Sequence, residues 1–143
     1  MSHIKLVVVH CADTPPSMDI GVKEITDWHV NGNGWSAIGY NYVIRRDGTL
    51  EHGRDLDGDG DVEDEVGAHA AGFNTGSLGI CMVGGRSQNS KEAEANFTMA
   101  QYKCLFALYE NINARHDNPV WKGHNEISTK KCPSINIKAL FDC

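Results

Sequence analysis

Three side chains, far apart in the chain, have the donor types of a catalytic zinc site. His10 ends an apolar run that begins at Ile4, and His124 and Cys132 lie close together near the other end. Two imidazoles and one thiolate can hold a tetrahedral zinc ion and leave its fourth position for water. Such an ion makes water a nucleophile near neutral pH and polarises a carbonyl. Hydrolysis of that kind also needs donors for the oxyanion of the tetrahedral intermediate. Lys130 is one candidate donor, and a tyrosine of Gly39-Tyr40-Asn41-Tyr42 is another. Period-two alternation puts Tyr40 and Tyr42 on one strand face, so spacing does not choose between them. A hydrogen-bond partner should orient each ligating imidazole; Asn125 and Glu126 are nearby in sequence, and neither is singled out.

Each of these residues also has a plainer reading. A lone histidine is most often a satisfied core residue, a lysine a solvated charge, and a cysteine before proline simple packing. Cys132 with a histidine base would instead make a cysteine hydrolase. Strand alternation turns Cys11 away from the face that His10 occupies.

A second cluster is acidic. Asp55, Asp57, Asp59, Gly60 and Asp61 match the opening of a calcium loop, with Val62 at its apolar position. The closing bidentate acid should fall at position 66, which is Val66, with Glu65 one residue short. The segment is therefore either a calcium site built on Asp55, Asp57, Asp59 and Asp61 or a solvated acidic loop. With Glu63, Asp64 and Glu65, residues 55–65 hold seven acids and account for the net charge of −6: outside them, thirteen basic residues face twelve acids. No basic stripe suggests nucleic acid as a partner.

These groups need a scaffold. Ile4 to His10 reads as a buried strand, stopped by Asp13-Thr14-Pro15-Pro16. Val22 to about Val30 reads as an amphipathic helix ended by Gly32-Asn33-Gly34. Ile38 to Arg45 and Leu50 to Gly53 read as two strands joined by an Asp47-Gly48 hairpin. Ser77 to Val83 is another strand. Thr98 and Gln101 form a capping box for a helix running to about His116, broken by Asn118-Pro119. Pro133 to Phe141 is predicted as a short closing helix. The order implies an α/β fold: a single domain over residues 1–143, with a central mixed β-sheet flanked by helices.

At 143 residues and 41% hydrophobic content, one domain can bury a real core. No stretch approaches the length of a membrane span, so no membrane insertion is expected. No signal-peptide pattern is visible, so synthesis in a cytoplasm is expected. The five cysteines are odd in number and are read as reduced, with Cys81 and Cys104 as small core hydrophobes.

The motifs in order resemble the zinc-dependent N-acetylmuramoyl-L-alanine amidases, the family of T7-like phage lysozymes and peptidoglycan recognition proteins. The resemblance runs through Val9-His10-Cys11-Ala12-Asp13-Thr14, Trp28-His29, Gly34-Trp35, Gly39-Tyr40-Asn41-Tyr42, Arg46-Asp47-Gly48-Thr49, Gly67-Ala68-His69-Ala70, Ser77 to Gly85 and His124 to Ser134. It is to the phage type in particular. It implies zinc ligation by His10, His124 and Cys132. It implies site roles for Tyr40, in preference to Tyr42, and for Lys130. It implies a place for His69 beside the substrate groove. The implied substrate is peptidoglycan, cut between the lactyl group of N-acetylmuramic acid and L-alanine, by an endolysin-like monomer that reaches the wall after release. Members of the family also bind peptidoglycan without cutting it, or bind a viral RNA polymerase, so both are competing roles. The acidic segment is a departure, since the family often runs almost directly from Gly-Arg to Gly-x-His.

Overall fold

The computed structural model describes residues 3–129 and 132–141. At its centre is β1 (Leu6–Cys11), whose Val7, Val8 and Val9 are wholly buried. A β-branched run apolar on both faces suits a strand with neighbours on both edges and cover on both sides. β1 pairs in parallel with β4 (Ser77–Met82) on one edge and β5 (Val120–Gly123) on the other. β2 (Tyr42–Ile44) runs parallel to β4, and β3 (Leu50–His52) returns antiparallel beside it. The sheet is thus mixed, in the order β3-β2-β4-β1-β5. The β2–β3 hairpin turns at Asp47-Gly48, as expected. Gly48 has φ +88°, which a glycine adopts without strain, and its N–H donates to Arg45 O at 2.9 Å.

Helices complete the layers. α2 (Met99–His116) starts at the capping box read from the sequence: Gln101 N–H donates to Thr98 Oγ1, and Thr98 N–H to Gln101 Oε1. Its Leu105, Leu108 and Ile112 join α3 (Ile137–Phe141) in packing with Val7, Val9, Ile80 and Met82. Leu105 and Ile112 are wholly buried, so truncating either to alanine should cost about 2–5 kcal/mol. α1 (Val22–Asp27) belongs to a smaller core in which Ile25 meets Ile38, Val43, Cys81 and Val83. Cys81 is a core hydrophobe, as read, and Cys104 is partly buried against the larger core.

Several boundaries, and one whole strand, differ from the expected ones. α1 ends at Asp27 and passes into a wider helical turn over Trp28–Gly32. β2 begins only at Tyr42. α3 begins at Ile137, where Asn136 Oδ1 accepts from Ala139 N–H at 3.0 Å. β5 was not expected, and it carries the chain back beside β1 just before His124.

The acidic segment is anchored at its C-terminal end. Asp57, Asp59 and Asp64 are exposed, whereas Val62 and Glu63 are buried. Glu63 accepts from Tyr42 Oη, Arg115 and His116. The buried Asn41 amide holds the same turn, donating to Val62 O (2.9 Å) and Glu65 O (3.1 Å) while accepting from Gly79 N–H (2.8 Å).

Candidate metal centre and active site

Strand order brings the two ends of the chain together. Val9 pairs with Gly123, so His10 and His124 leave adjacent parallel strands at the same edge of the sheet. The carboxyl ends of parallel strands are where α/β folds place their sites. The His10 and His124 ring centroids are 4.5 Å apart. One ring nitrogen of each, together with Cys132 Sγ, forms a group whose atoms all lie within 4.8 Å of one another. Cys11 faces the larger core, as alternation requires, but its backbone N–H donates to Cys132 Sγ at 2.8 Å.

This donor set fits zinc. Two nitrogens and a sulfur converge, and the N–H···S bond from Cys11 favours a thiolate. The neighbouring Cys11 thiol and burial raise the Cys132 thiol above its ordinary range.

Tyr40 stands over the cluster, its ring centroid 5.1 Å from that of His10. Burial first, then the thiols of Cys81, Cys132 and Cys11, push its phenol well up, so it remains a neutral O–H donor. Tyr42 belongs to the other face, where its hydroxyl donates to Glu63. The expected shared face fails because residues 39–41 bend before β2 begins, and alternation holds only within a strand.

His69 is buried, and both ring nitrogens meet protein partners: Nδ1 lies 3.0 Å from His10 Nε2, and Nε2 lies 3.0 Å from Ser77 Oγ. Burial, with the charge of His124 second, pushes its pKa down to about 4, so it is neutral at pH 7. Gly79 makes room for the ring, since a Cβ there would sit 2.5 Å from His69 Cγ.

The cluster opens into a cavity of about 690 Å³ that includes His10, His29, Tyr40, His124 and Cys132. A second cavity of about 380 Å³, with Phe73, Asn74 and Ile127, shares Trp35, Ala68, His69 and His124 with the first. The two make one extended groove, with His69 in its wall. His29, which the sequence offered only within the Trp28-His29 motif and without a role, lines this cavity. Its Nδ1 accepts from Gly39 N–H at 2.9 Å, so the neutral ring carries its proton on Nε2. Burial, then the charge of Arg54, lowers its pKa. Asn125 and Glu126 brace the loop: Asn125 donates to Ile135 O, and Glu126 accepts from Gly123 N–H. Lys130 lies outside the described residues.

In the acidic loop, carboxylate oxygens of Asp55, Asp57 and Asp59 come within 4.8 Å of one another, as do those of Asp57, Asp64 and Glu65. Asp61 belongs to neither group; its Oδ1 accepts from Glu63 N–H at 3.0 Å. Position seven of a calcium loop ligates through its backbone carbonyl, so the Asp61 side chain is not required there.

A mixed α/β sheet with a His/His/Cys cluster at the carboxyl ends of two adjacent parallel strands defines the class. Solved structures share the architecture. The endolysin N-acetylmuramoyl-L-alanine amidase LysCS of Clostridium intestinale superposes with a TM-score of 0.78 at 27% identity, covering 99% of this chain and 85% of its own. A bumblebee peptidoglycan recognition protein, PGRP-SA, shares the fold at a TM-score of 0.76 and 19% identity, covering 99% of this chain and 83% of its own. The endolysin of Escherichia phage T7 is 42% identical over 136 residues, 95% of this chain and 84% of the relative. The chain belongs to the N-acetylmuramoyl-L-alanine amidase family, whose model matches residues 1–135.

Proposed function

We propose that this protein is a peptidoglycan hydrolase of the endolysin type. It cuts the amide between the lactyl group of N-acetylmuramic acid and L-alanine of the stem peptide. The observation that carries this reading is the convergence of His10, His124 and Cys132 on the floor of an open groove. These three residues would hold zinc, which supplies Lewis acidity toward water and the scissile carbonyl.

The chain's own groups do the rest. The neutral Tyr40 hydroxyl donates to the carbonyl oxygen as negative charge develops on it. Lys130, by its place two residues before Cys132, is assigned the second donor role. Trp35, Phe73 and His69 wall the groove along which the glycan-peptide lies. Action at the cell wall follows from that substrate. Among the described residues, no helix is long and apolar enough to cross a membrane.

We also read the acidic loop as a structural calcium site on Asp55, Asp57 and Asp59. Asp55 Oδ1 is shut off from solvent and has no hydrogen-bond partner. Desolvation and the facing Asp59 push the Asp64 carboxyl up to about 7, the mark of crowded acids that a cation would relieve.

The test is release of soluble muropeptides from purified peptidoglycan, with chelator and with zinc restored, read by mass. Intact glycan and new L-alanine amino termini, lost with chelator and regained with zinc, establish the reading. No release from protein with zinc bound would overturn it, in favour of a peptidoglycan- or polymerase-binding role on this fold.

A further inference from the structure

The hydrogen bonds behind His10 have a direction, and that direction can be derived from one end. Ser77 Oγ lies 2.5 Å from Phe73 O and 3.0 Å from Asn74 O. A carbonyl oxygen only accepts, so the single hydroxyl proton of Ser77 is spent on this pair. Ser77 Oγ then faces His69 Nε2, 3.0 Å away, as an acceptor, and Nε2 must carry the His69 proton. The neutral ring has one N–H, which leaves Nδ1 of His69 as an acceptor. Facing it at 3.0 Å is His10 Nε2, which must in turn be N–H. A neutral His10 protonated at Nε2 carries its lone pair on Nδ1.

We infer that Ser77 and His69 are positioning residues that fix the tautomer of His10, presenting Nδ1 and not Nε2 to the metal. This inference rests on the zinc reading above and adds to it the ring nitrogen that ligates and the residues that select it. The relay is rigidly built. His69 N–H and Ala70 N–H both donate to Asn74 Oδ1, at 2.9 Å each, and the His69 ring lies against Gly79. Ser77 is almost wholly buried, so bulk water does not compete for its proton. The geometry also explains why a histidine in the groove wall turns both nitrogens inward.

The primary test is the zinc-loaded full chain with ¹⁵N-labelled histidine, observed by long-range ¹H–¹⁵N correlation. A protonated Nε2 and a metal-shifted Nδ1 on His10, with a protonated Nε2 on His69, are expected. A His10 ring bound through Nε2 and protonated at Nδ1 overturns the inference, and this measurement needs no variant to fold. The second test is zinc affinity by competition with a chromophoric chelator. Ser77→Ala and His69→Phe should each weaken zinc by roughly 10–100-fold, and Ser77→Thr, which keeps the hydroxyl, should restore most of the loss. Unchanged affinity in a folded Ser77→Ala protein, with wild type binding zinc and releasing muropeptides, overturns the relay and leaves the amidase reading intact. Wild type that binds no zinc overturns both.

Discussion

Among the described residues Glu63 is the carboxylate with the most side-chain donors, and its replacement by glutamine gives a sharp prediction. Its two oxygens accept from Tyr42, from Arg115 through Nε and Nη2, and from His116. Arg115 reaches both oxygens, so whichever way a glutamine amide is turned, its NH₂ meets an Arg115 donor. Hydrogen bonds to a charged group contribute about 1.5–3 kcal/mol each. The Arg115 side chain is 48% exposed and can turn to water, so its share is discounted toward the surface range of about 0–1 kcal/mol. His116, 13% exposed, has less freedom to do so. The sum is roughly 2–4 kcal/mol, a fall of about 6–15 °C in Tm for a chain of this size. The assay is near-UV circular dichroism during heating, at a series of pH values. Burial alone would raise the Glu63 pKa, but the bonds from Arg115, Tyr42 and His116 outweigh it and hold it below the ordinary 4.5. A depressed carboxylate contributes stability above its unfolded pKa and loses it as pH falls through the folded value. The gap between wild type and Glu63→Gln should therefore be full at pH 6–7 and close in acid below about pH 4.5. A gap under about 2 °C at pH 7, or one that persists undiminished at about pH 3, refutes the reasoning.

Three further outcomes follow from the same structure. Asn41→Leu leaves Gly79 N–H and two loop carbonyls without their amide partner and should cost about 2–4 kcal/mol by urea denaturation; a change below about 0.5 kcal/mol would show that the Asn41 clamp is idle. Tyr40→Phe should bind zinc as wild type does but lose roughly 10²–10³-fold in kcat on soluble muropeptide, and an unchanged kcat removes Tyr40 from the oxyanion role. Calcium should stabilise wild type by about 2.7 kcal/mol at a hundredfold excess over Kd, seen as a rise in Tm, and should not stabilise Asp55→Asn or Asp57→Asn; no rise in Tm up to about 10 mM makes the loop a solvated acidic segment.

The candidate metal ligands and the family were legible in the sequence because donor types are local facts: His10 behind an apolar run, His124, Cys132 and the ordered motifs around them. The capping box at Thr98 and the Asp47-Gly48 hairpin were equally readable, because each is completed within four residues. What pairs across the chain was not. β5 offers only Val120 and Trp121 as strand formers before Lys122-Gly123, too weak a local signal, yet its register against β1 is what sets His124 beside His10. Tyr40 and Tyr42 differ in face because the backbone bends before β2, which no alternation rule reports. Glu63 looked like one more acid in a solvated loop and is instead buried against α2, 52 residues further along the chain. Ser77 and His69 acquire their direction only when two backbone carbonyls close on the hydroxyl. Residue types are fixed along the chain, but burial, partner and tautomer belong to contacts between distant segments, and only the folded sheet brings those segments together.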